Sequence, residues 1–369
     1  MIKNLTLLLL VVLFVAGIAE ALLQLFDYPH YPAAMRVGWK YMGKDRKNTN
    51  QYGYRGQKIT YGPSDFVTVL LGDSQVEADC CSFEDMPEKI IEKEMTKTIP
   101  KAKVFSIGAG GYGNDQELLA LSKYFSQHRA NLVLVWLTPS NDIWNNLFPT
   151  HVPLDGMPKP TYWLENNELK GWNLPPDSLI YENSPFKLFY ILQRLKRYVS
   201  NPLAGIDKNW ESRTMPRAYK PLQTFNGNSI DLSGNREHYL ASEKSNLMVR
   251  YAPISPRTKY GVRLTNKLLK EIEHVCAKNG AKVLFFYVNN YTDFGADCIK
   301  QNDDFFLISK KSYLQNREQM TQSLPIVSLP LTIKNWRVSS KDQHLNATAN
   351  SQVMRSLTDT LRARNLLKN

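Results

Sequence analysis

Short apolar runs alternate with helix-patterned segments along most of this chain, and that rhythm limits the folds open to it. Phe66 to Leu71, Ala102 to Ile107, Leu132 to Leu137, Ala281 to Val288 and Ile326 to Leu329 are almost wholly apolar. A strand without polar alternation has to be covered on both faces, as in a parallel sheet. Helical spacing fills the intervals at Phe83 to Thr96, Asn114 to His128, about Val262 to Lys278 and about Ala347 to Arg364. The alternation predicts an α/β three-layer sandwich with a mainly parallel sheet.

The rhythm is interrupted once. Residues 150 to 262 are rich in proline, aromatic and polar residues, with one helical pattern at about Pro185 to Val199. They read as an insertion within a domain of residues 63 to 369. Residues 27 to 62 read as a connecting segment, with turn chemistry at Asn50 to Gly56. Ahead of it, Leu5 to Phe26 is apolar except for Glu20 and Gln24. As a helix this stretch would rise roughly 33 Å, enough to cross a bilayer. Residues 1 to 26 therefore read as a membrane anchor or a signal peptide. Small residues at Gly17 to Ala21 offer cleavage patterns. The apolar stretch runs past them, which favours a retained single-pass anchor over secretion after cleavage. Arg36, Lys40, Lys44, Arg46 and Lys47 follow it and, taken alone, would hold that side in the cytoplasm. An extracytoplasmic, periplasmic domain is nonetheless expected, because the chemistry described next suits an envelope substrate.

The formal net charge of +12 suits anionic surfaces, or is a solvated basic surface. No zinc-finger spacing, RNA-binding aromatic signature or dense arginine tract is present, so nucleic acid is not an expected partner. Of four cysteines, adjacent Cys80 and Cys81 are poorly placed to bridge each other, though either could meet a distant partner; Cys276 reads as a core thiol. The tryptophans and tyrosines Trp144, Tyr162, Trp163, Trp172, Tyr181 and Trp210 offer a glycan-stacking platform or, for most of them, the insertion's own small core.

In a parallel α/β sheet, ligands bind at the carboxyl ends of the strands. Four polar clusters fall just there: Gly72-Asp73-Ser74, Gly108 to Asn114, Ser140-Asn141-Asp142, and Asp342-Gln343-His344-Leu345-Asn346. Serine becomes a nucleophile when a base takes its proton, histidine is such a base near neutral pH, and a carboxylate fixes the imidazole tautomer. Each cluster also has a plain structural reading. Ser74 would serve as a helix N-cap, Asp73 as a loop brace, and Gly108, Gly110 and Gly113 as turn residues. His30, His128, His151, His238 and His274 lack a serine–carboxylate context and read as structural.

These blocks resemble the SGNH (GDSL-type) hydrolase superfamily over most of residues 64 to 149 and 263 to 366. The resemblance implies a flavodoxin-like sheet with Ser74 as nucleophile, His344 as base and Asp342 as its carboxylate partner. It implies an oxyanion hole from the backbone N–H groups of Ser74 and Gly111 and the side-chain amide of Asn141. Loss of one such donor typically raises the barrier by about 3 kcal/mol. Asn346 fits the His-x-Asn form of bacterial members. Three departures stand out: Pro139 where glycine is common, Asp342 two residues before His344 where three is usual, and Ala349 in place of a glycine.

The expected function is a serine-dependent esterase or O-acyltransferase working through an acyl-enzyme on O-acyl groups of an envelope or exported polysaccharide. Lipid or small-ester hydrolysis competes within the enzyme class. A non-catalytic, membrane-tethered glycan-binding or assembly protein on a hydrolase scaffold competes from outside it. Neither a metal nor an organic cofactor is implied.

Overall fold

The computed structural model describes residues 2–26, 48–151, 157–171, 186–189, 191–192, 218–233, 240–289, 295–339 and 342–367. His30, Arg36, Lys40, Lys44, Arg46, Lys47, Trp172, Tyr181, Trp210 and His238 lie outside them, as does most of the helix expected at 185–199.

Five strands form one all-parallel sheet: β1 (Phe66–Gly72), β2 (Ala102–Gly108), β3 (Leu132–Leu137), β4 (Lys282–Asn289) and β5 (Ile326–Pro330). Their order is β5-β4-β3-β1-β2. With a side-chain period of two, successive residues enter opposite cores, which is why these strands are mostly apolar. In β1, Val67, Val69 and Leu71 enter one core while Phe66 and Leu70 enter the other. In β3, Val133, Val135 and Leu137 face the first, and Leu132, Leu134 and Trp136 the second.

Helices α4 (Asn114–Phe125), α5 (Pro139–Leu147) and α6 (Pro256–Lys278) cover the first face. Helices α3 (Pro87–Thr96) and α8 (Ala347–Ala363) pack together over the second. The expected α/β three-layer sandwich is the observed architecture. The expectation differs in its details. α6 starts at Pro256, ahead of the apolar periodicity, because the Ser255 side chain accepts from Thr258 N–H and Pro256 occupies the first turn. The stretch between β4 and β5 holds a hairpin (Cys298–Gln301 with Asp304–Leu307) and helix α7 (Lys310–Met320). α7 is strongly polar outside its few buried positions, so no apolar stripe announces it.

Parts of the connecting segment and the insertion are built into this body. Asn50 Nδ2 donates to Ser106 O at 3.0 Å, and the buried Tyr54 hydroxyl lies 3.2 Å from that of Tyr112. Tyr162 is buried and Trp144 and Trp163 are partly buried against the first core, so these rings serve packing. Lys159, fully buried, forms an ion pair with the equally buried Asp115 of α4. His128 packs edge-on to Tyr52 and against Tyr124, and His274 is exposed on α6.

The N-terminal helix α1 (Ile2–Leu25) is long and apolar enough to cross a membrane, a test that a signal sequence also passes. Glu20 accepts hydrogen bonds from the backbone N–H of Lys187 (2.8 Å) and Leu188 (2.7 Å), and from Gln24 (2.6 Å). Its carboxylate thus caps the start of the helical residues 187–189, which follow the exposed Phe186.

Removing one partner of a buried ion pair strands the other, at about 3–5 kcal/mol. Lys159→Met should lower the unfolding free energy of the full-length protein by that order in denaturant titration. The double variant K159M/D115N should recover part of the loss.

Candidate active site

The strand order reverses between β1 and β3, since β2 lies on one side of β1 and β3 with β4 and β5 on the other. At such a switch point the chain leaves in opposite directions and opens a crevice above the strand ends. Gly72 ends β1 and pairs with both Gly108 of β2 and Trp136 of β3. The short helix α2 (Ser74–Glu77) sits directly on this edge. A Cβ on Gly72 would come within 2.7 Å of Val76 Cγ2, and one on Gly108 within 2.6 Å of Val76 Cβ. Both positions need glycine because α2 approaches the strand ends so closely.

The structure separates two readings of Ser74. Asp73, not Ser74, is the N-cap of α2: its Oδ1 accepts from Gln75 N–H at 2.9 Å. Ser74 is the first helical residue, half-buried, and among the described residues its hydroxyl and its N–H have no hydrogen-bond partner. Asp73 braces the loop as expected, with Oδ2 accepting from Asn141 Nδ2 at 3.4 Å. Burial pushes the Asp73 carboxyl up, while the bonds from Gln75 N–H and Asn141 pull it down.

Asn141 lies in the first turn of α5, a helix that the sequence pattern does not announce. Pro139 stands at the start of that helix, where its fixed φ favours the first turn; this accounts for proline where glycine is common. Asp142 reaches back, its Oδ2 accepting from Thr138 N–H at 2.9 Å, so it holds the turn. The Asn141 carbonyl oxygen accepts from Asn246 Nδ2 at 3.2 Å. Asn246 therefore sets which end of the Asn141 amide faces Asp73 and the crevice, leaving one of its two N–H donors for a ligand.

Gly111 has φ +75°, the left-handed region that a Cβ disfavours. Its N–H has no partner among the described residues, whereas the preceding Gly110 N–H donates to Glu77 Oε2 at 2.6 Å. Gly113 is the N-cap of α4, and a Cβ there would meet Asn146 Oδ1 at 2.6 Å.

Asp342 and His344 form a pair. His344 Nδ1 lies 2.5 Å from Asp342 Oδ1, and the same oxygen accepts the His344 backbone N–H at 3.0 Å. One carboxylate oxygen thus closes a local ring on both groups, which is how a two-residue spacing serves. The bond from the His344 backbone N–H holds the Asp342 carboxyl below the usual range; burial opposes it, and the imidazole adds to the lowering. The segment is staked from behind: His344 O accepts from Val338 N–H, Asp342 N–H donates to Ser339 Oγ, and Asn346 caps α8 through Ala349 N–H.

Its docking point is on the serine turn. Leu345 N–H donates to Gln75 Oε1 at 3.3 Å, and Leu345 O lies 3.7 Å from Sγ of both Cys80 and Cys81. The neighbours of Ser74 and His344 are thus bonded to each other. Asp342 is the only hydrogen-bond partner of the His344 ring among the described residues, so contact with the Ser74 hydroxyl is not closed in this structure. Arg55 adds a clamp that the sequence did not announce. Its guanidinium donates to the carbonyls of Glu77 (3.1 Å), Ala78 (2.5 Å) and Cys81 (2.7 Å), at the negative end of α2.

Beneath this edge lie further carboxyls. Glu117 and Asp142 are fully buried, and among the described residues Glu117 Oε1 and Asp142 Oδ1 have no hydrogen-bond partner. Burial first, then neighbouring negative charge, pushes both carboxyls well above their ordinary range. Among the described residues no group of histidine, cysteine, aspartate and glutamate is arranged to hold a metal ion.

No family model matches this chain, and no curated protein matches it. Among solved structures, similarity is found to an acetyl xylan esterase from the rumen bacterium Butyrivibrio proteoclasticus. The identity is 10% and the TM-score 0.35, over 85% of this chain and 67% of that one. A carbohydrate acetylesterase family member from Sinorhizobium meliloti gives 11% identity and a TM-score of 0.33, over 82% of this chain and 99% of that one. Likeness at this level carries no argument about chemistry, which rests on the geometry above.

A carboxyl whose pKa is raised by folding is most favourable when protonated, so its contribution is greatest at low pH. It is lost as pH rises above the ordinary carboxylate range of about 4. Asp142→Asn keeps an acceptor for Thr138 N–H and imitates the protonated form. The fall in melting temperature between about pH 4.5 and 7 should be shallower in D142N than in wild type. An unchanged slope would show that Asp142 is ionised in the folded protein.

Proposed function

We propose that this chain is a serine-dependent esterase or O-acyltransferase that works through an acyl-enzyme. The observation that carries the reading is the bonding of the Asp342–His344 segment, through Leu345, onto the turn that presents an uncommitted Ser74.

The chemistry follows from those positions. Asp342 accepts from Nδ1–H, which leaves Nε2 of His344 as the base. Closure of the Asp342–His344 segment onto the serine turn brings Nε2 to Ser74 Oγ, which attacks the acyl carbonyl as its proton passes to the imidazole. The carbonyl oxygen becomes an oxyanion. The free N–H groups of Ser74 and Gly111, with one N–H of Asn141, are the donors for it. His344 returns the proton to the departing alcohol. Water then releases the acid, or a sugar hydroxyl takes the acyl group.

The substrate we propose is an O-acyl group on an envelope or exported polysaccharide. The net charge of +12 suits an acidic glycan, and a tether would keep the site near the envelope. The bonds from Lys187 and Leu188 to Glu20 support a retained anchor, because cleavage after Ala21 would remove the cap of the helix they begin and cleavage after Ala19 would leave Glu20 at a free chain end. We place the domain on the periplasmic side.

A fluorophosphonate should label purified full-length protein, and Ser74→Ala should abolish the label. His344→Ala should lower ester turnover by about 10²–10⁴-fold with the melting temperature maintained. Asn141→Ala should lower kcat by about 10²–10³-fold with little change in KM. Free acetate released from acetylated glycans, compared with free fatty acid released from lipid esters, decides the substrate class. A folded sample that neither labels nor turns over any ester would leave a glycan-binding role in place of catalysis.

A further inference from the structure

Cys80 and Cys81 sit where the histidine segment meets the serine turn. Their Sγ atoms are 3.8 Å apart, and each lies 3.7 Å from Leu345 O. Cys80 is exposed and Cys81 half-buried, whereas Cys276 and Cys298 are fully buried. All four cysteines are free thiols, so the distant pairing that the sequence left open is not formed in this structure. The two sulfurs face each other across the tight turn closed by Cys81 N–H to Ala78 O at 3.0 Å. Asn350 Nδ2 lies 3.4 Å from Cys81 Sγ and 3.4 Å from Leu345 O, tying the same junction to α8.

We propose that Cys80 and Cys81 form a thiol–disulfide exchange site whose oxidation loosens the seat of His344. The consequence for catalysis rests on the function proposed above; the exchange itself does not. Cys81 is the attacking sulfur. Donation from Cys80, together with Asn350 and the nearby Arg55 charge, pulls its thiol down to about 7 against burial. The co-reactant is a small external disulfide, RSSR. The Cys81 thiolate attacks one sulfur and releases RS⁻, giving a mixed disulfide. The Cys80 thiol, losing its proton, then attacks Cys81 Sγ and expels the second RS⁻. Two protein thiols and one RSSR become one protein disulfide and two RSH, with the two electrons passing to the reagent. Closing the bond draws the sulfurs from 3.8 Å to about 2.05 Å. It removes the thiol hydrogen shared among Cys80, Cys81 and Leu345 O, so that Leu345 O keeps only the long Asn350 contact.

Full-length protein in detergent, treated with hydroxyethyl disulfide, tests this. Intact mass should fall by the mass of two hydrogens, with maleimide-reactive thiols lost at Cys80 and Cys81. Cys80→Ser should stop at a mixed disulfide on Cys81. Limited proteolysis within residues 336–346 should quicken, and fluorophosphonate labelling at Ser74 should slow about tenfold; dithiothreitol should reverse both. The variant C80S/C81S should show no response to the disulfide. Two thiols left unconsumed, or proteolysis as slow as in reduced protein, would overturn the proposal. Labelling as fast as in reduced protein would also overturn it. If reduced protein takes no fluorophosphonate at all, the esterase reading fails instead, and mass and proteolysis still decide the exchange site.

Discussion

The bond between Leu345 N–H and the Gln75 side chain, backed by the contacts of Leu345 O, joins two parts of the chain some 270 residues apart. Everything proposed for the crevice depends on it, because neither half is reactive alone. A serine hydroxyl at a helix start is inert without a base. An Asp–His pair on a surface segment is one of many possible histidine contacts. The dock is small, with one amide bond at 3.3 Å and weak sulfur contacts. Its precision comes from what stands behind each side. Glycines at the ends of β1 and β2 let α2 lie against the strand ends, and Arg55 holds the far end of the turn. On the other side, Asn346 ties the start of α8 to the carbonyls of Asn335 and Arg337.

The floor of the crevice is electrostatically expensive. Asp73, Asp115, Glu117 and Asp142 are all buried, and Lys159 is the buried cation that pairs with one of them. Burial penalises each ionised form, so this group favours bound protons. A cluster of this kind destabilises the fold near neutral pH relative to an apolar filling. The same residues position backbone: Asp73 caps α2, and Asp142 holds the turn that presents Asn141. The strain is local to the strand ends, where it bears on alignment of the oxyanion donors.

The sheet was legible because burial on both faces leaves a direct mark, a run such as Val69-Leu70-Leu71 with no polar alternation. Ser74, Gly111, Asn141, Asp342 and His344 could be named together as candidates because four polar clusters follow strand ends in order and resemble the blocks of a known hydrolase superfamily. The local structure around them was less legible. Helix α5 carried no helical signal in the sequence, since Pro139 marks a helix start only once its place in the first turn is known. Helix α7 escaped because its buried positions are few and only Met320 among them is apolar. The role of Arg55, Asn246 and Lys159 had no sequence signal. Each acts across a long separation on a backbone carbonyl, an amide or a buried carboxylate, and no spacing encodes that.

By itself, the sequence determined the layered architecture, the order of the strands along the chain and the apolar N-terminal helix. Those follow from local periodicity, which any short window contains. Tertiary structure alone decided the lateral strand order that opens the switch point between β1 and β3. It also decided that Asp73 rather than Ser74 does the capping, and that Cys80 and Cys81 face each other beneath Leu345. These are outcomes of packing between distant segments, where close approach and hydrogen-bond satisfaction, not local propensity, select the arrangement.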